Sequence, residues 1–151
     1  FAEAHRKLGD LFVKQRELKR AVAQYREALA LRPDLLKAAN GLAWILSTSK
    51  DPSIRDGNEA VRWAEQCATA VSYQHPGVLD TLAAAYAATG DFDRAVATAE
   101  IALKLVTDRQ DQKAVREIAR HLELFRNGKP LRIKSGQPKP SSGRPVVEET
   151  Q

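Results

Sequence analysis

Apolar residues at Leu8, Leu11 and Phe12, and again at Val22, Tyr25 and Leu29, recur every three or four positions, the spacing of one face of a helix. The pattern predicts two consecutive amphipathic helices joined by a polar stretch. Pro33 ends the second, because proline has no N–H to donate and its ring collides with the preceding turn. Gly9 lies within the first apolar stretch, where the missing side chain lets a neighbouring helix come close to the backbone. Near the other end, DQKAVREIARHLELFRNG predicts one more amphipathic helix. Its stripe is Val115, Ile118, Leu122 and Phe125, and Gly128 is its C-terminal cap.

Laid on itself, the chain repeats. Three columns recur: Leu8, Leu42 and Leu82; Ala21, Ala60 and Ala95; Ala28, Cys67 and Ala102. Each holds the small or apolar residues needed where two helices approach closely. The middle unit carries about five extra residues before Ala60, within LSTSKDPSIRDGNEA. Asp56 stands in the same repeat position as Asp91, so both are expected to cap a second helix. The extra residues then fall at about Ser47 to Ile54. Asp51-Pro52 is expected to start a short helical turn there, since proline suits a first helical position. The predicted result is a lobe on one edge that lengthens the stack's rim without breaking the stack.

Composition agrees with an all-α domain: 43% hydrophobic and 28% charged, with only 8 Gly and 7 Pro and few β-branched clusters. The net charge is +5, and five basic against two acidic residues from Lys129 onward account for much of it. The body shows no dense basic stripe, so nucleic acid is not an expected partner. The single Cys67 stands in an apolar helical context and is expected in the core. No apolar run approaches the roughly 20 residues that span a bilayer, so direct membrane insertion is not expected either. The chain starts at Phe1, contains no Met and enters a helical pattern at once, which reads as a piece of a longer chain.

The first unit, AEAHRKLGDLFVKQRELKRAVAQYREALALRPD, closely resembles a tetratricopeptide repeat at Leu8-Gly9, Phe12, Ala21, Tyr25, Ala28 and Pro33. His5 departs from the usual opening aromatic. The third unit matches at Leu79, Leu82, Ala83, Tyr86, Gly90, Ala95 and Ala102, with a characteristic GDFDRA turn. The second matches at Leu42, Ala43, Ala60 and Cys67. The resemblance implies an all-α, right-handed superhelical solenoid of three helix pairs, at about 2–35, 36–72 and 76–107. A capping helix at about 110–127 would cover its last apolar face. The segment HLELFRNGKP is similar to the closing helix of many bacterial tetratricopeptide chains, which often end large multidomain proteins. Residues 129–151, with four Pro, two Gly and three Ser, cannot bury enough apolar surface to fold alone and are expected to form an extended tail.

Signals for chemistry are weak throughout. His5, His75 and His121 are far apart in sequence, and none has the spacing of a helical zinc site. His5 is expected to pack and His75 to sit in a linker. Aligning Gly57 with the invariant glycine of a calcium loop puts Pro52, Ile54 and Trp63 where ligands belong, so that reading fails. NGKP lacks the rest of a phosphate loop, and no nucleophile motif or convincing carboxylate pair is present. Neither catalysis nor a cofactor is expected.

What the resemblance implies is a protein-interaction module that scaffolds or docks within a multi-subunit assembly. Its groove-facing positions fall on Glu3, Arg6, Asp10 and Lys14, then Lys37, Asn40, Trp44 and Thr48, then Gly77, Asp80, Ala84 and Ala87. Of the residues with which one subfamily clamps chaperone tails only Arg6 is retained, and Asp10 would repel such a tail. Trp44 has two readings: a groove aromatic that anchors a partner, or a ring packed beneath the long turn or the next repeat. Trp63 reads as structural or as an outer-face contact. Lys50 and Arg55 on the long turn, and Leu131, Ile133 and Val146 in the tail, are further candidate contacts. Two alternatives stand beside this reading: a docking or regulatory region of a larger enzyme of glycosyltransferase or kinase type, and an RNA-binding repeat. A homo-oligomer is compatible with the sequence, and a cytoplasmic or periplasmic location is left open.

Overall fold

A computed structural model describes residues 1–133. Among them are seven helices: α1 (Ala2–Lys14), α2 (Leu18–Leu31), α3 (Leu36–Thr48), α4 (Gly57–Ala70), α5 (Pro76–Ala88), α6 (Phe92–Asp108) and α7 (Gln112–Arg126). Each packs on its neighbours in the chain, and α5 also packs on α3 and α7. The odd-numbered helices form an inner layer and the even-numbered ones an outer layer, as in a stack of helical repeats. At the centre, α5 is buried continuously from Pro76 to Ala87, which its sequence PGVLDTLAAAYAA allows because it is apolar or small all round. No described helix is long and apolar enough to cross a membrane.

At the first pair, α1 packs closely on α2 alone. Phe12 is buried accordingly, but Leu8 and Leu11 are 38% and 47% exposed, unlike the equivalent Leu42 and Leu82. At the other end, α7 lays Ile118, Leu122 and Phe125 into the core and leaves its opposite face polar.

Tyr25 locks the first two pairs together. Its buried ring lies against Gly9 of α1 and Gly41 of α3. A Cβ built at Gly9 would stand 2.7 Å from its ring carbon Cε1, and one at Gly41 would stand 3.1 Å from Cζ. The hydroxyl then donates to Asp10 Oδ1 at 2.6 Å. Burial, and then the Asp10 charge, push the Tyr25 pKa well above the usual phenol range. Tyr86 makes a similar hydroxyl contact: it donates to Glu65 Oε2 on α4 at 2.6 Å, and its pKa is pushed up to about 12, chiefly by burial.

Helix ends are closed by side chains and tight turns. Asp56, Asp91 and Asp111 accept from the third N–H of the helix that follows, each contact contributing about 1 kcal/mol. His75, expected in a linker, instead caps α5 by accepting from Val78 N at 3.2 Å. At their C-termini, α1, α4, α5, α6 and α7 pass through a left-handed residue, after which an N–H returns to a carbonyl five residues back. Gly90 and Gly128 suit that conformation, whereas Arg16, Ser72 and Gln110 adopt it at a steric cost. Cys67 is wholly buried between helices, and burial pushes its thiol pKa up to about 12.

Two outcomes follow for urea unfolding. Gly9→Ala lowers stability by about 1–3 kcal/mol, because the methyl meets the Tyr25 ring, although alanine otherwise favours a helix by about 1 kcal/mol. Gln110→Gly raises it by about 0.5–1 kcal/mol by removing a left-handed strain. A stabilising Gly9→Ala would contradict the packing at Tyr25.

Candidate functional site

The inner face begins on α1, where Arg6, Asp10 and Lys14 were expected to face a partner. The structure ties two of them internally. Arg6 is only 8% exposed and donates to Glu3 Oε1 and Asp10 Oδ2, three and four residues away on the same helix. Asp10 also accepts from Tyr25, so its two oxygens serve two helices. Arg6 is therefore neutralised in place. Lys14 is exposed at the helix end.

In the middle of the face, Asn40, Trp44, Thr48, Asp80 and Ala84 come together, and all are buried. Ala87 and Gly77 are buried with them. The Trp44 ring lies 6.3 Å from that of His121, tilted by 45°, so α3 reaches across to α7. His121 Nδ1, as donor, stands 2.8 Å from Asp80 Oδ1, and both side chains are buried. Asp80 thus helps hold α7 onto α5. Sequence reasoning weighed His121 only as a metal ligand, yet it stands three residues after Ile118 and beside Leu122, on the buried stripe of α7. That spacing was the available signal.

The long turn departs from its counterparts in one respect that matters. In the first pair Glu17 N donates to Phe12 O (2.8 Å), and in the third Asp91 N donates to Tyr86 O (3.0 Å). In the second pair Asp56 N donates to Leu46 O at 2.9 Å, the equivalent bond closed over ten residues instead of five. The insertion is looped out while the junction of the two helices is kept. Ser47 and Thr48 still belong to α3, so the excursion is Ser49 to Arg55, slightly later than the sequence placed it. Asp51 accepts from Ser53 N and Oγ, and Ile54 N and Arg55 N return to Asp51 O, making the short helical turn expected at Asp51-Pro52. These Ser53 bonds, first among the causes, lower the Asp51 pKa.

Looping out has a chemical consequence. No left-handed turn folds back over the end of α3, and its last carbonyls, with the two that follow it, are met by groups from elsewhere. Arg55 donates to Ser49 O (2.9 Å) and Lys50 O (3.3 Å). Arg132 donates to Ser47 O at 3.1 Å, and Ile133 N donates to Thr48 O at 2.8 Å. Residues 131–133 thereby run beside Ser49 as an isolated parallel bridge. Leu131 is 7% exposed and Ile133 packs against the core. Residues 131–133, expected to belong to an extended tail, are held in place because α3 supplies acceptors. Arg132 was not among the expected contacts; its neighbours Leu131 and Ile133 were. Val146 lies outside the described residues.

Two family models described as tetratricopeptide repeat match residues 2–35 and 78–113. The chain is a tetratricopeptide-repeat protein. The matches cover the pairs α1–α2 and α5–α6, and the looped-out pair α3–α4 lies between them. Comparison with curated proteins finds no match. Tetratricopeptide repeats are in general protein–protein interaction modules that bind protein partners, and the family is typically non-catalytic.

In this tetratricopeptide stack the His121–Asp80 contact ties α7 to α5. His121→Ala is expected to cost about 2–4 kcal/mol in urea unfolding, because it leaves the Asp80 carboxyl buried without that donor. A cost under about 0.5 kcal/mol, the level of an ordinary surface change, would show the contact to be energetically idle.

Proposed function

We propose that this chain docks an extended polypeptide within a larger assembly, through the rim formed by the long turn and the adjoining inner face. One observation supports this reading above the others: the looped-out turn leaves the end of α3 as a row of carbonyls, and an extended segment, Leu131–Ile133, is held there through its backbone. A surface that holds one extended strand by main-chain bonding and an apolar anchor can hold another of similar chemistry. The buried centre of the inner face, around Trp44 and Asp80, serves as the support of that rim. Lys14 and Lys50, both exposed, stand where a partner would pass.

The test is site-specific photo-crosslinking of the intact chain in extract of its source organism. A crosslinker at Lys50 or Lys14 is expected to capture the same polypeptide, and one at Lys113, on the outer side of α7, to capture none. Ile133→Pro removes the donor to Thr48 O, and should raise the Lys50 yield about threefold, the equivalent of roughly 0.7 kcal/mol for a lost hydrogen bond. Equal capture at all three positions, or none at Lys50 and Lys14, would overturn the proposal.

A further inference from the structure

The edge that carries the long turn also carries the α1–α2 turn, and the two face each other across a cleft of about 570 Å³. It continues into a smaller cleft of about 290 Å³ between α2 and the same turn, with Lys19 and Ile54 common to both. Spaces of this size accommodate several side chains of a bound segment. Leu18 and Ile54 give the larger cleft an apolar floor.

The carboxylates of this edge are engaged within the chain. Glu17 accepts from Arg20 at 2.7 Å, and Glu59 from Arg26 at 2.6 Å. Asp51 is taken by Ser53, and Asp56 by the cap of α4. Lys19, Lys50, Arg55 and Arg132 are left with no carboxylate at ion-pair distance among the described residues. Arg55 and Arg132 are held by backbone carbonyls alone, near enough that the charge of Arg55, after burial, lowers the pKa of Arg132. The negative end of the α3 dipole accounts for these two arginines. It does not account for Lys19 and Lys50, both exposed, which extend the positive field over the floor of Leu18 and Ile54.

We propose that this cleft binds an acidic peptide segment, an apolar side chain set on Leu18 and Ile54 between Asp or Glu residues that meet Lys19, Lys50 and Arg55. It rests on the protein-docking reading above and adds the partner's chemistry. A polypeptide fits better than a polynucleotide for two reasons. Glu17, Asp51 and Asp56 interrupt the positive lining, which a continuous phosphate backbone could not avoid. No aromatic ring lines either cleft to stack a base.

The test is fluorescence anisotropy of the intact chain with a labelled peptide of Glu and Asp around a central Leu, against the same peptide with Gln and Asn. The acidic peptide is expected to bind at least about tenfold more tightly, and to weaken several-fold between about 50 and 200 mM salt. The double variant K19E/K50E should weaken it about tenfold or more, while K104E/K113E, with the same net charge on other surfaces, leaves it unchanged. Equal binding of the two peptides, or equal effects of the two double variants, would overturn the cleft assignment. So would tighter binding of single-stranded RNA that K19E/K50E abolishes. If only this assignment fails, crosslinking at Lys50 still captures its polypeptide; if the docking reading fails, it captures none.

Discussion

The ring of Tyr25 between Gly9 and Gly41 sets the spacing on which the rest of the stack is built. A phenol is a large, flat group, and it can lie between two helices only where both give up their side chains. With both glycines in place the ring is buried and its hydroxyl reaches Asp10, which also receives Arg6. One residue thus fixes the distance from α2 to α1, the distance to α3, and the charge arrangement of the inner face. The polar residues of α1 that a partner would first be imagined to meet are already committed to this arrangement.

The long turn shows how a repeat can acquire a surface without losing its place. The bond from the capping residue of the second helix to the first helix is kept at Asp56 and Leu46, as at Asp91 and Tyr86, and the intervening chain is free to extend. The cost of closing a loop a few residues longer is small, growing only with the logarithm of its length. What changes is the end of α3, whose carbonyls no longer face a left-handed turn and are met instead by Arg132 and the backbone of Ile133, while Arg55 meets the two carbonyls just beyond the helix.

Much of this fold was legible in the residues. The columns of Leu, Ala and Cys gave the three pairs, Asp56 and Asp91 marked helix starts, and Gly9 announced a close approach, because each of these signals is local or repeats with the fold. The candidate site was legible only in part. Arg6 and Asp10 were expected to face a partner, and their mutual pairing went unseen because it depends on rotamers and on Tyr25 from another helix. The burial of Trp44 depends on the approach of α7, many residues later in the chain. The reach of Leu131–Ile133 back to α3 is a contact over more than eighty positions, which no periodicity encodes.

That last contact changes how the molecule should come apart. In an ideal array each repeat feels only the next, so the ends can fray singly and the middle melts on its own account. Here Trp44 touches α7 past α5, and residues 131–133 meet α3, so α7 is fastened to the second pair as well as to the third. Peeling α7 away must also uncap α3. Residues 36–133 are thereby joined more like a globular domain than a chain of beads, and α1 and α2 are tied to that block through Tyr25 and the α2–α3 packing.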